Sequence, residues 1–183
     1  GHLMPFSYPA VAPEGSVLDT LSERRDIGGI ARRAAMAAGI RSQLASQNIP
    51  VWLVDVGDFS DGTAFSTEYK GEADVAAMNA AGYDLATFGN HEFNYPAAHV
   101  LRLLTLVKHP VLLANVTDRQ SGLPIASPSR IVQVGPVRVG VFGLVTHEAR
   151  TYPAVKEAFT VLDEIPTARQ VVADLRRSEE HTS

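Results

Sequence analysis

Two short glycine loops, each closing an apolar run, constrain this chain more than any other feature. Val51-Trp52-Leu53-Val54 leads into Val56-Gly57-Asp58, and Leu85-Ala86-Thr87-Phe88 leads into Gly89-Asn90-His91-Glu92. Short apolar runs bounded by glycine and polar residues read as buried strands, most simply parallel ones. The stretch 70–81 between them has helical periodicity and enough length for the crossover of a strand–helix–strand unit. If the strands are neighbours, their C-terminal ends lie side by side, where open α/β sheets place ligands. Asp58, Asn90 and His91 would then share one small volume.

The remainder of the chain supports an α/β reading. Residues 1–25 hold three prolines and little periodicity, so they form an irregular entry. From Asp26, a candidate N-cap, a helix runs to about Gln47, and Gly28-Gly29 near its start reads as a helix-entry turn. Strands are expected over 51–55 and 85–88, and Gly82 stands where a helix ends in a left-handed residue. Pro96 opens a helix to about Val107, with Val100, Leu103, Leu104 and Val107 on its apolar face. A buried strand over 111–114 follows. Then comes a hairpin whose strands, 131–134 and 137–145, flank Gly135-Pro136. A short edge strand over 159–162 and a helix from Pro166 to about Arg176 complete the pattern. Alternating strands and helices followed by a hairpin make a sandwich with a mixed sheet.

Composition excludes several functions. With 183 residues, 45% of them hydrophobic and 20% charged, the chain suits one soluble domain with a full core. A net charge of −4 gives no basis for binding a nucleic-acid polymer or an anionic membrane. No apolar run approaches the ~20 residues of a transmembrane helix. The absence of cysteine removes disulfides, thiolate ligands and thiol nucleophiles together.

Taken singly, the loop residues have plain roles: Asp58 as a loop or helix cap, Asn90 as a turn residue, His91 as a satisfied core or surface histidine. Together they differ. One carboxylate can bridge two cations, an amide oxygen adds a ligand without charge, and an imidazole can act as acid or cation beside a phosphate. That trio suits a two-metal hydrolytic centre. His99, His109 and His147 read as helix-surface or loop residues, and neither His2 nor His181 is offered as a ligand.

The motifs Leu53-Val54-Asp55-Val56-Gly57-Asp58-Phe59, Gly62-Thr63, Gly82-Tyr83-Asp84 and Phe88-Gly89-Asn90-His91-Glu92-Phe93 resemble those of the calcineurin-like metallophosphoesterases. Within that family they resemble the bacterial 5′-nucleotidase and 2′,3′-cyclic phosphodiesterase branch. Gly28-Gly29-Ile30-Ala31-Arg32, the run from Pro110 to Val116 and the run from Val139 to Leu144 extend the likeness over most of the chain. The resemblance implies an αββα sandwich and a centre of two divalent cations (Mn, Zn, Co, Mg or Ca). Asp58 would be the bridging ligand, Asn90 a ligand of the second metal, and His91 the catalytic histidine near the scissile phosphate. The reaction implied is hydrolysis of a phosphate ester on a small nucleotide. Export to the periplasm or cell surface is likewise a family expectation.

Three departures qualify this. The family opens with an Asp-x-His strand, and Gly1-His2-Leu3-Met4-Pro5-Phe6 is similar to the residues just after it. Two later histidine motifs are expected beyond the last helix. Residues 1–176 thus read as part of a catalytic domain truncated at both ends, with the piece alone expected to be inactive. Third, Asn94 stands where many 5′-nucleotidases carry an Asp that orients the catalytic histidine. Asn there is familiar in the cyclic-phosphodiesterase/3′-nucleotidase branch, and as a plain alternative Asn94 caps the helix near Pro96. Residues 177–183 look like translated sequencing adapter or, equally, a polar helix tail. Two rivals remain: a non-catalytic binding module on this fold, and a thiosulfohydrolase-type relative.

Overall fold

The computed structural model describes residues 28–180. The expected irregular entry over 1–25, the Asp26 cap and the first six residues lie outside them, as does His181. Helix α1 (Ile30–Ala45) starts after Gly28 and Gly29, whose φ values of +77° and +85° make the anticipated glycine turn. Arg41 ties this helix to the strand unit. It donates to the Gly82 carbonyl at 3.0 Å and to Asp84 Oδ2 at 2.6 Å.

Strands β1 (Val54–Asp55) and β2 (Leu85–Ala86) are parallel neighbours, with Val54 opposite Leu85 and Asp55 opposite Ala86. Both are shorter than the apolar runs suggest. The Leu53 N–H donates to the Asp84 side chain at 2.7 Å before β1 begins, and Gly57 and Asp58 turn left-handed just after it ends. Nor is β1 wholly buried. Val54 and Val56 are exposed while Asp55 faces inward, so the strand alternates.

The expected crossover helix over 70–81 forms over 72–81, and a shorter helix that the sequence does not announce precedes it. Helix α2 (Ala64–Tyr69) is capped by Thr63, whose Oγ1 accepts the Ser66 N–H at 3.0 Å, and α3 spans Glu72–Ala81. Lys70 and Gly71 separate them with φ values of +51° and +83°. Gly71 presses on Ser60 so closely that a side chain there would displace it. Glu72 and Asp74 supply the acidic first turn of α3. At its other end Gly82, at φ +72°, returns its N–H to the Met78 carbonyl, the expected left-handed stop.

Helix α4 (Ala97–Leu106) follows Pro96 and buries Val100 and Leu103 completely. The run 111–114 is buried as expected, but it joins the sheet through single bridges, Ala86 to Val111 and Leu112 to Ser127. Strand β3 (Val116–Asp118), unforeseen, pairs antiparallel with β6 (Phe159–Val161), the expected edge strand. Asn115 pins the join: fully buried, it donates to the Val145 carbonyl at 2.8 Å and accepts the Val145 N–H at 3.0 Å. Strands β4 (Ser129–Val134) and β5 (Val137–Phe142) form the hairpin, with Val134 opposite Val137 across Gly135-Pro136.

Helix α5 (Pro153–Glu157) precedes β6. Helix α6 (Glu164–Glu180) begins two residues before Pro166 and runs through residues 177–180, the first part of the suspected tail. It packs on the β4–β5 hairpin, while α3 lies between α1 and α4. Phe59, Val75, Met78, Phe88, Phe93, Leu103, Leu113 and Phe159 share one core. Among the described residues no helix is long and apolar enough to cross a membrane.

Candidate active site

The two loops meet backbone to backbone. Gly57, at φ +90°, lies so close to Gly89 that a methyl group on either would collide: at Gly57 with the Gly89 backbone, at Gly89 with the Asp58 carboxylate. Asp58 itself has φ +56°, a left-handed conformation that Asp tolerates better than most residues and that clusters at functional sites. This pair of left-handed residues stops β1 and carries Asp58 onto the second loop. Asp58 Oδ1 accepts the His91 N–H at 3.1 Å.

Beneath the contact sits Glu92, 0% exposed. Its Oε2 accepts the N–H groups of Asp58 (2.9 Å) and Gly89 (2.7 Å). Its Oε1 accepts the N–H groups of Phe59 (3.0 Å) and Ser60 (2.9 Å) and the Ser60 hydroxyl (2.9 Å). One side chain thus satisfies four backbone donors on two loops. Burial pushes its carboxyl up from the ordinary range, and the donors from Ser60, Asp58 and Gly89 oppose that. Phe59 and Phe88 pack edge to face, ring centroids 5.6 Å apart, and close the floor with apolar surface.

Above the floor is an open rim. Asp58 is exposed; Asn90, His91 and Asn94 are half-buried. Residues 91–94 form a single 3₁₀ turn, which sets His91 and Asn94 on one side. Asn90 Nδ2 donates to the Tyr152 hydroxyl at 2.5 Å, fixing the amide so that its oxygen is the atom left for a ligand. Tyr152 also meets the His91 ring edge-on, centroids 6.0 Å apart.

Asp61, from the first loop, completes the rim. Its Oδ2 accepts from Asn94 Nδ2 at 2.6 Å and lies 3.4 Å from His91 Nδ1. The Gly62 N–H, donating to Oδ1 at 2.7 Å, is the chief reason its carboxyl sits below the ordinary value; His91 and Asn94 pull the same way and partial burial opposes.

The structure therefore brings Asp58, Asn90, His91 and Asn94 together, and adds Glu92, Asp61 and Tyr152, to which the sequence reading gave no role. Glu92 could have been suspected from its place in the Gly89-Asn90-His91-Glu92 loop, directly before the apolar Phe93. Nothing in the sequence singles out Tyr152, 62 residues away from Asn90.

The other histidines stand apart. His99 Nε2 donates to the Lys70 carbonyl at 2.7 Å, and exposed His147 pairs with Glu164 at 3.1 Å. His109 departs from the surface position expected of it. It lies half-buried beside Tyr83, centroids 5.9 Å apart, and burial pushes its imidazole down.

As to a metal, Asp58 and Asn90 offer oxygen donors of the kind hard divalent cations take. Among the described residues no group of three or more His, Asp or Glu side chains could hold one.

No family model matches the chain. The snake venom 5′-nucleotidase of Naja atra is 40% identical over 129 residues, 66% of this chain and 23% of that protein. The NAD nucleotidase structure of Haemophilus influenzae superposes with a TM-score of 0.74 at 30% identity, over 84% of this chain and 30% of that one. The chain belongs to the calcineurin-like phosphoesterase family, on its 5′-nucleotidase branch. The family's fold extends to the sulfate thiohydrolase of Thermus thermophilus, with a TM-score of 0.79 at 21% identity over 92% of this chain and 33% of that one, a likeness of fold alone. This family member spans about a quarter of the length of the curated relatives it matches.

Proposed function

We propose that the protein to which this chain contributes hydrolyses phosphate esters of small nucleotides with the help of two divalent cations. Residues 1–176 would be part of its catalytic domain. The observation that carries the reading is the convergence of Asp58, Asn90 and His91 at the ends of two adjacent parallel strands, on a rim open to solvent. Asp58 and Asn90 would contribute oxygen ligands. Bound cations would activate water for attack and neutralise charge developing on the phosphate oxygens.

The chain's own residues do the rest. The Glu92 clamp fixes where Asp58 stands, Tyr152 fixes the Asn90 oxygen, and His91 is placed to hold or give a proton at the phosphate ester. Such preorganised groups lose little freedom when substrate binds. The Naja atra and Haemophilus influenzae relatives, both nucleotidases, support a nucleotide as substrate, and the venom origin of the first supports a location outside the cytoplasm.

The test is phosphate release from a nucleoside 5′-monophosphate and from a 2′,3′-cyclic nucleotide. It would use the full-length protein, with added Mn²⁺ and with chelator. Turnover should need metal and fall at least about 100-fold in Asp58→Ala, the scale on which one transition-state contact acts. The 183-residue chain alone should show none. Metal-independent turnover, or full activity in the variant, would overturn the proposal. Preference for the cyclic ester would place the protein nearer the cyclic phosphodiesterases.

A further inference from the structure

We propose that Asp61 is the positioning residue of His91, taking the part the sequence reading gave to Asn94, and that the carboxylate and the amide form an exchangeable pair. Three atoms meet there: His91 Nδ1, Asn94 Nδ2 at 3.3 Å from it and Asp61 Oδ2 at 3.4 Å. Asn94 Nδ2 is 2.6 Å from the same Oδ2, and only its N–H side can face a carboxylate oxygen without repulsion. The amide is therefore a donor at this junction, and the acceptor for a ring proton on Nδ1 is Asp61.

Two arrangements compete. In one, Nδ1 bears hydrogen and donates to Asp61. In the other, Nδ1 is bare and accepts the second amide hydrogen of Asn94. A hydrogen bond to an ionised acceptor is roughly twice as strong as a neutral one, so the first wins. Asp61 also enters the junction already oriented. The Gly62 N–H holds its Oδ1, and the Asp61 N–H donates to Ser66 Oγ at 3.0 Å. Asn94 in turn acts as a brace, keeping Oδ2 facing the ring. With hydrogen fixed on Nδ1, Nε2 on the opposite side of the ring is the nitrogen through which His91 meets a substrate. The carboxylate thus comes from the loop that carries Asp58, and Asn94 need not be charged.

What this does for turnover rests on the proposed function; the positioning itself does not, so it is tested on the chain without substrate. Long-range ¹H–¹⁵N spectra at about pH 9, where ordinary imidazoles are neutral, report which ring nitrogen of each histidine bears hydrogen. His91 is assigned by its loss in His91→Gln. The expected result is an Nδ1–H tautomer for His91 in the native chain and a shift to mostly Nε2–H in Asp61→Asn. Return to Nδ1–H is expected in the double variant Asp61→Asn/Asn94→Asp. Asn tolerates the left-handed backbone at position 61 (φ +89°), and Asp61→Gly gives the same test on a backbone suited to it. An Nε2–H tautomer in the native chain, an Asp61→Asn spectrum unchanged from it, or a folded double variant that fails to restore Nδ1–H would each overturn the assignment.

Discussion

Glu92 and Asp58 are carboxylates on the same pair of loops, yet they live in opposite surroundings. Glu92 is sealed beneath the loop contact and spends both oxygens on donors from Asp58, Phe59, Ser60 and Gly89. Asp58 stands at the rim, exposed, with one oxygen on the His91 N–H. The buried group cannot meet a substrate and the exposed one does little packing. The site is thus divided into a floor that fixes geometry and a rim that carries chemistry, and the two should fail differently when changed.

The largest effect should come from the floor. Glu92→Ala leaves four backbone N–H groups of two loops without their partner. Loss of one member of a buried charged network costs about 3–5 kcal/mol. The urea midpoint should fall accordingly, or the chain should not fold. Glu92→Gln keeps the shape but turns an NH₂ toward donors, and should cost about 1–3 kcal/mol. If either matches the native chain in urea, the floor is not structural.

Next come the glycines. Gly89→Ala sets a methyl group against the Asp58 carboxylate, and overpacking of this kind costs about 1–3 kcal/mol. It should also displace Asp58, so metal-dependent turnover in the full-length protein should fall with it. Loss of stability without loss of turnover would separate floor from rim more cleanly than the structure does.

At the rim, Asp58→Ala should change stability by less than about 1 kcal/mol, as surface substitutions do, while removing turnover. A drop in the urea midpoint as large as that of Glu92→Gln would break the comparison. The smallest effect concerns acid. Asp61 has its folded-state pKa below the unfolded value, so the stability it contributes is present above about pH 4 and lost as pH falls through the folded value. Solvent screening keeps that contribution under about 1 kcal/mol. Asp61→Asn should therefore lower stability slightly at neutral pH, by less than about 1 kcal/mol, with the difference from the native chain vanishing as pH falls through the folded value.

The rim was more legible in the sequence than the floor. Strand ends, the crossover and the loop motifs placed Asp58, Asn90 and His91 together because local signals, glycine turns and apolar runs, decide them. Helix α2 was not legible, since six residues are too few to show a period and its Thr63 cap sits in a loop of glycine and polar residues. Asp61 was hidden for another reason. Its partners, His91 and Asn94, lie 30 and 33 residues on, and a carboxylate in a loop looks the same whether it faces water or an imidazole. Asn94 drew attention because a motif position is visible, and its brace-like part emerged only from the side-chain geometry.

The Glu92 clamp also carries a kinetic consequence. The amide hydrogens of Asp58, Phe59, Ser60 and Gly89 can trade with solvent only when this single carboxylate lets go. Their exchange should therefore proceed in step, at one opening free energy shared by two loops far apart in the chain. A deuterium label placed on the first loop would in that way time the breathing of the second.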